Sequence, residues 1–122
     1  MGDRTVLVVD DSSLARMMLR NSIAQSLPEW QIIEAVSAED ALEKIATDVP
    51  QLALVDYNMP GKNGIELATE LTEKYSDIRI VLVTANIQDR MRQRAEAMGI
   101  GFVTKPVSPE KLADLVTGLE GA

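Results

Sequence analysis

The sequence predicts an α/β fold built on a five-stranded parallel sheet, and three observations favour it. Short apolar runs alternate with longer segments of helical period along the whole chain. The runs are rich in β-branched residues and apolar on both faces, which is typical of strands covered on both sides of a parallel sheet. A length of 122 residues is the usual size of one domain. We therefore expect residues 1–122 to fold as a single domain.

The first strand is expected at Thr5–Val9, which reads TVLVV. The helix after it begins at Ser12 or Ser13, either of which can cap it, and Pro28 ends it. One stripe of this helix is expected to face the core, formed by Ala15, Met18, Leu19, Ser22, Ile23 and Leu27. Gln31–Ala35 is a second and less apolar strand, which suits the edge of a sheet.

The next unit extends to the middle of the chain. Its helix begins at residues 37–40, Ser-Ala-Glu-Asp, which resemble a capping box with Asp in place of Glu. Pro50 closes the unit, and a third strand is expected at 52–55. A turn-rich loop follows over 56–64, and apolar residues then recur at helical spacing over 65–75.

The last third of the chain continues the alternation. Residues 80–83 are continuous in β-formers and predict the fourth strand. Residues 88–98 read QDRMRQRAEAM and predict the most polar helix of the set. Gly101–Thr104 is a short fifth strand, and Ser108 is an N-cap followed by Pro109 at the first position of the last helix.

Five strands joined by right-handed helical crossovers favour a doubly wound, flavodoxin-like sheet with five helices. The strand order 2-1-3-4-5 is the one we expect for a sheet of this size. This order puts the first and third strands side by side at the switch point, where ligands bind beyond the carboxyl ends of the strands.

Five polar residues lie where the apolar runs end. Asp10 and Asp11 follow the first strand, Asp56 follows the third, Thr84 ends the fourth and Lys105 follows the fifth. In the predicted sheet all five converge on one rim. At an effective dielectric near 20, two carboxylates about 4 Å apart repel by roughly 4 kcal/mol, so the cluster should hold a proton or a cation.

The types of side chain at this rim indicate the chemistry. Oxygen ligands without His or Cys favour a hard cation, Mg²⁺ or Mn²⁺. An ammonium and a hydroxyl beside the acids would attract the oxygens of a phosphoryl group. Transfer of that group to a carboxylate needs mainly in-line positioning and positive charge on its oxygens.

Composition excludes several other functions. With 19 acidic and 12 basic side chains the formal charge is −7, so direct binding of nucleic acid is not expected. The chain has no Cys and no His, which removes thiolate nucleophiles, imidazole bases, the usual zinc sites and disulfides. No stretch approaches the roughly 18 apolar residues of a membrane span, so we expect no membrane partner. The cytoplasm is the expected compartment.

The ordered motifs resemble the receiver domains of two-component response regulators, especially the single-domain regulators of the chemotaxis type. The similarity covers essentially the whole chain. It rests on VLVVDD at 6–11, DYNMPG at 56–61, Gly64, Thr-Ala at 84–85 and Lys-Pro at 105–106.

This resemblance implies that Asp56 accepts a phosphoryl group from the phosphohistidine of a sensor histidine kinase. It also implies a Mg²⁺ site made of the carboxylates of Asp10, Asp11 and Asp56 and the backbone carbonyl of Asn58. A chain of this kind would catalyse only its own phosphorylation and dephosphorylation, and would carry no output domain.

The resemblance further implies a switch. Thr84 would bond a phosphoryl oxygen, Lys105 would pair with the phosphoryl group, and Phe102 would turn inward on activation. The response would pass to the fourth helix, fifth strand and fifth helix, which would bind a downstream protein, with the protein monomeric or dimeric upon phosphorylation. The residues expected on this partner face are Arg90, Arg94, Phe102 and Pro106. The Lys105–Pro106 bond is a candidate for a cis peptide.

Each residue also has a purely structural interpretation. The pair Asp10 and Asp11 can be a turn and helix cap, and Thr84 can bond to backbone. Arg92 and Glu96 are spaced as an i, i+4 ion pair on a solvated helix face. These interpretations would all have to hold together, and they leave the gathering of acids at the switch point unexplained.

Three other functions remain open. A Mg²⁺-dependent phosphohydrolase with an aspartyl-phosphate intermediate would use similar acids, but the haloacid-dehalogenase type needs Asp-x-Asp-x-Thr and a substrate cap. Here the run is Asp-Asp-Ser-Ser at 10–13, and no insertion could form a cap. A flavodoxin-like redox carrier would have its flavin phosphate repelled by the two acids. The third possibility is a receiver that only docks partners and accepts no phosphoryl group.

Overall fold

The structure, a computed structural model, describes residues 4–59, 63–85 and 89–120. Strands and helices alternate along these residues. In chain order they are β1 (Thr5–Val9), α1 (Ser13–Ser26), β2 (Gln31–Ala35), α2 (Ala38–Ile45), β3 (Leu52–Asp56), α3 (Gly64–Lys74), β4 (Arg79–Thr84), α4 (Asp89–Met98), β5 (Gly101–Thr104) and α5 (Pro109–Glu120).

All neighbouring strands pair in parallel, and their order across the sheet is β2-β1-β3-β4-β5. The fold class and strand order expected from the sequence are therefore confirmed. Because β1 and β3 are neighbours and their helices leave in opposite directions, the crevice of the doubly wound sheet opens at their carboxyl ends.

Alternate side chains of the strands enter two cores, one on each face of the sheet. Leu7 and Val9 of β1 join the core beneath α2, α3 and α4, whereas Val6 and Val8 join the core beneath α1 and α5. All four side chains are fully buried. The apolar residues of the central strands are thus used for packing on both sides, and the strand ends carry the polar groups.

The helices begin where polar side chains supply hydrogen bonds to free backbone groups. Ser12 caps α1, because its hydroxyl accepts from the backbone N–H of Ala15 at 3.2 Å. At α2 the hydroxyl of Ser37 accepts from the N–H of Asp40. The Asp40 carboxylate accepts from the N–H of Val36, one residue earlier than a capping box requires. The expected box is therefore only half formed.

Helix α1 buries a narrower stripe than the sequence suggests. Leu19, Ser22 and Ile23 are its buried residues, whereas Met18 is 49% exposed. Consecutive residues are about 100° apart around a helix, so Met18 lies well to one side of a contact centred on Leu19. Its assignment to the buried stripe was wrong, and the exposed side chains of Leu14 and Met17 lie nearby along the helix.

Within the described ranges, every helix is too short or too polar to cross a membrane.

The loop after β3 requires a glycine at the start of α3. A Cβ on Gly64 would lie 2.6 Å from the backbone oxygen of Asp56 and 2.8 Å from the Cα of Tyr57. The N–H of Gly64 also donates to the carbonyl of Tyr57 at 3.0 Å. The backbone therefore approaches too closely here for any side chain.

We predict that Gly64→Ala lowers the free energy of unfolding by about 1 to 3 kcal/mol, because backbone has to move to admit the methyl group. Urea unfolding measures the change. The matched control is Gly101→Ala, whose Cβ would meet only ordinary contacts, the nearest at 3.5 Å. Equal stability of the two variants would contradict the close approach.

Candidate functional site

Three carboxylates lie together at the carboxyl ends of β1 and β3. Asp10 and Asp11 follow β1 and Asp56 is the last residue of β3. One carboxylate oxygen from each lies within 4.8 Å of the others. Asp10 and Asp56 are buried, whereas Asp11 is exposed. We call these three residues the acidic nest. Asp10 and Asp56 form its buried side, and Asp11 lies on the side that is open to solvent.

Lys105 joins the two buried acids of the nest. Its Nζ lies 3.1 Å from Oδ2 of Asp10 and 3.3 Å from Oδ1 of Asp56. The backbone N–H of Lys105 donates to the carbonyl of Thr84 at 2.8 Å, which holds the residue to the end of β4. The peptide bond between Lys105 and Pro106, the candidate that the family resemblance implied, is cis.

Backbone hydrogen bonds fix both buried acids. The N–H of Asp10 donates to the carbonyl of Ala35, and its Oδ1 accepts from the N–H of Ser12 at 2.9 Å. Asp56 accepts from the backbone N–H of Asn58. The two carboxylates therefore have little freedom to move apart and relieve their repulsion.

The pKa of Asp56 is raised above its ordinary value of 3.8. Burial is the largest cause and the negative charge of Asp10 is the second, while Lys105 and the N–H of Asn58 act in the opposite direction. Burial would lower the pKa of Lys105, but its hydrogen bond to Asp10 and the charges of Asp10 and Asp56 raise it overall. The carboxylates of Asp10 and Asp56 thus keep the ammonium of Lys105 in its charged form.

The nest fits a hard divalent cation. Three carboxylates face one ammonium, so two formal negative charges are uncompensated. The donors are all oxygens, which Mg²⁺ and Mn²⁺ prefer. Lys105 contacts Asp10 and Asp56 from one side, and the exposed carboxylate of Asp11 marks the side from which an ion can enter.

Thr84 lies at the same rim. It ends β4, is 1% exposed, and pairs with Thr104 of β5. Asp56 of β3 pairs with Val83 of β4, so Thr84 lies one residue further along β4 than the position opposite Asp56.

Asn58 is exposed two residues after Asp56. The expected use of its carbonyl as a metal ligand stays a prediction, and Asn86, two residues after Thr84, lies outside the described residues.

The residues expected on the partner face lie on α4, β5 and the loop that follows. Arg90, Arg94 and Pro106 are exposed, and Phe102 is half-buried. The guanidinium of Arg92 lies over the ring of Phe102, 5.5 Å from its centroid. The sequence offered Glu96 as the partner of Arg92, and did not indicate this stacking because it joins a helix to a strand.

Sequence reasoning missed two cations that bind backbone around the site. Arg16 donates from Nη1 to the carbonyl of Asp10 at 2.6 Å. Lys111 donates from Nζ to the carbonyls of Thr104 and Pro106, at 3.1 and 3.2 Å. Neither is marked by a motif, because a long side chain can reach many backbone groups and only the fold selects one.

Residues 6–117 match the family model described as the response regulator receiver domain. The chain belongs to the response regulator receiver domain family. Members of this family receive phosphoryl groups from histidine kinases and act on downstream effectors, and they bind Mg²⁺ at an acidic pocket. The resemblance identified from the motifs is confirmed.

Several relatives show where this chain stands within the family. It is 37% identical over 110 residues to the cyclic di-GMP phosphodiesterase response regulator RpfG of Xanthomonas campestris, covering 88% of this chain and 29% of that protein. It is 29% identical to the chemotaxis protein CheY of Halobacterium salinarum, covering 93% of this chain and 94% of CheY. The solved structure of Vibrio cholerae CheY4 matches with a TM-score of 0.83 at 26% identity, covering 96% and 98% of the two chains. The chain spans between 29% and 52% of the length of the first three curated relatives that it matches.

The raised pKa of Asp56 gives a pH dependence of stability. At a pH below the pKa of Asp56 in the unfolded chain, the carboxyl is protonated and uncharged in both the folded and the unfolded state. It then does not lower the free energy of unfolding. Once the pH exceeds the higher folded pKa, the ionised carboxylate opposes folding in full. Asp56→Asn should therefore be more stable than the wild type near pH 7, with the difference shrinking toward pH 4.

Urea unfolding across this pH range, without divalent cations, measures the difference. The matched control is Asp48→Asn, which removes an exposed carboxylate after α2 and should leave the pH dependence almost unchanged. An Asp56→Asn variant that is less stable than the wild type near pH 7 would contradict the assignment.

Proposed function

We propose that this receiver domain is a phosphoacceptor switch of a two-component system, with Asp56 accepting a phosphoryl group from the phosphohistidine of a sensor histidine kinase. The observation that carries the proposal is the contact of Lys105 with both Asp10 and Asp56 inside the acidic nest. A structural role alone does not require a lysine that contacts two buried acids, with a third acid beside them, at the switch point of the sheet.

The proposed metal ion is Mg²⁺, with Mn²⁺ as a substitute. Asp10, Asp11 and Asp56 would hold it through their carboxylates and Asn58 through its backbone carbonyl. When bound, the ion supplies positive charge to the phosphoryl oxygens during transfer. The uncompensated charge and the oxygen donors of the nest support this assignment.

In the proposed reaction a carboxylate oxygen of Asp56 attacks phosphorus, and the bond between phosphorus and the kinase imidazole breaks. The leaving imidazole takes up a proton, and Asp56 becomes an acyl phosphate. Attack requires an ionised Asp56, and Lys105 favours the ionised form against the effects of burial and of Asp10. Held by Asn58 and Lys105, the acceptor needs little reorganisation before attack.

Phosphorylation would add about −1.5 to −2 charge beside Lys105. We expect Lys105 to exchange its contact with Asp10 for a phosphoryl oxygen, and the hydroxyl of Thr84 to bond another. Thr84 and Leu82 point to the same face of β4, and Leu82 pairs with Phe102 of β5. A shift of Thr84 toward the phosphoryl group would therefore change the space into which Phe102 can turn.

The proposed output surface is the α4–β5–α5 face. Exposed Arg90 and Arg94 suit an acidic segment of a downstream protein effector, and Phe102 and Pro106 supply apolar contacts. The same face would join two copies if the phosphorylated protein dimerises. Direct binding of nucleic acid is not proposed, because the formal charge is −7.

The scope of the proposal is the receiver function. We propose that residues 1–122 form one receiver domain without an output domain inside this range, and that it works in the cytoplasm. The activities named for longer relatives, such as the phosphodiesterase of RpfG, are not carried over to this chain.

We predict that acetyl phosphate with Mg²⁺ adds one phosphoryl group to the protein, because the nest already holds the acceptor Asp56 beside the ammonium of Lys105. Intact mass spectrometry measures the gain, which should be labile and should be absent in Asp56→Asn. The control Asp48→Asn should gain the group like the wild type, since its carboxylate lies outside the nest.

No adduct on the wild type would contradict the phosphoacceptor assignment and favour a receiver that only docks partners. Repeated turnover of a chromogenic phosphate ester with Mg²⁺ would instead favour the phosphohydrolase. Among the described residues, each strand is joined to the next by one helix, and none of these connections supplies a substrate cap.

A further inference from the structure

Arg16 is a half-buried cation that contacts the backbone of the acidic nest. It lies in the first turns of α1, and its side chain is only 16% exposed. Its Nη1 donates to the carbonyl oxygen of Asp10 at 2.6 Å. Side chains on a helix point back toward its N-terminus, which allows Arg16 to reach the end of β1. Asp10 is 1% exposed, so a donor to its carbonyl matters there.

The guanidinium of Arg16 is itself fixed. Its Nε lies 3.3 Å from the carboxylate of Glu34, which is on β2 opposite Val8 of β1. Arg20, one turn later on α1, holds the other oxygen of the same carboxylate at 2.7 Å. Lys44 of α2 donates to the backbone carbonyl of Glu34 at 2.6 Å. Three side chains from two helices, α1 and α2, thus converge on Glu34, and Arg16 connects them to the nest.

The hydrogen bond from Arg16 to the carbonyl of Asp10 affects where the side chain of the next residue, Asp11, points. The carbonyl of Asp10 and the N–H of Asp11 belong to one planar peptide group. The side chain of Asp10 is already held by Ser12 and Lys105. The exposed carboxylate of Asp11 makes no contact with Lys105. The direction in which it points therefore depends on the orientation of the peptide plane between Asp10 and Asp11. A donor that fixes the plane therefore fixes where the Asp11 carboxylate points.

We propose that Arg16 is a positioning residue of the acidic nest: it holds the Asp10–Asp11 peptide so that both carboxylates face Asp56 and bind the divalent cation together. The inference rests on the proposed function, because it assigns Arg16 a purpose at the metal site. A planar guanidinium can reach the carbonyl and Glu34 at the same time, whereas an ammonium cannot bind both with the same geometry. Since Glu34 pairs with the charge of Arg16, the effect is mainly geometric.

The test compares Arg16→Gln with Arg20→Gln. Each variant removes one cation from Glu34, but only the first removes the donor to the nest. Calorimetric titration with Mg²⁺ gives the affinity of the unphosphorylated protein, and urea unfolding gives the stability without metal. Phosphorylation by acetyl phosphate is then followed as a function of Mg²⁺ concentration.

We expect Arg16→Gln to weaken Mg²⁺ binding by about 10-fold or more, as loss of a supporting contact to a metal ligand does. Saturating Mg²⁺ should restore most of the phosphorylation rate. Arg20→Gln should bind Mg²⁺ within about 2-fold of the wild type. Arg16→Lys, which keeps one donor to the carbonyl, should recover part of the lost affinity.

Equal Mg²⁺ affinity in Arg16→Gln and Arg20→Gln would overturn the inference and leave the proposed function intact. A wild type that binds no Mg²⁺ would instead overturn the proposed function, and this inference with it. If Arg16→Gln does not fold, Arg16→Lys decides: weakened Mg²⁺ affinity supports the inference and wild-type affinity overturns it. Failure of both variants to fold would make Arg16 a stability residue and overturn the inference.

Discussion

The repulsion between buried carboxylates at the carboxyl ends of β1 and β3 is the interaction on which the rest of the site depends. Asp10 and Asp56 are held close by the register of neighbouring strands and by backbone N–H groups, so they cannot separate. Lys105 compensates part of the negative charge, and its pKa is raised in return. Any partner that enters this nest has to supply further positive charge or relieve the contact between Lys105 and the acids.

The fold creates this situation because a parallel sheet gathers all its carboxyl ends on one edge. Both faces of the central strands are used for packing, with Leu7 and Val8 of β1 entering opposite cores. Polar side chains can therefore be placed only where the strands end, and there they come from residues distant in sequence. The rigid cores keep the acids together at an energetic cost.

The sequence predicted the fold and the composition of the rim well, because both depend on simple periodicities. Asp56 and Thr84 lie where apolar runs stop, and that signal needs no knowledge of tertiary contacts. Met18 was misplaced because helical spacing does not give the width of the buried stripe, and Met18 lies to one side of the contact centred on Leu19. Arg16 was missed because its contact with Asp10 joins a helix to the end of a strand, and helical spacing says nothing about such contacts.

The most direct measurement of the central claim is a Mg²⁺ titration of the wild type and of Asp11→Asn by calorimetry. Asp11 is exposed and has no contact with Lys105, so its replacement changes the nest without removing the buried pair. The account predicts one Mg²⁺ per chain in the wild type and an affinity about 10-fold lower or more in Asp11→Asn. No binding by the wild type, or equal affinity in the two proteins, would contradict it.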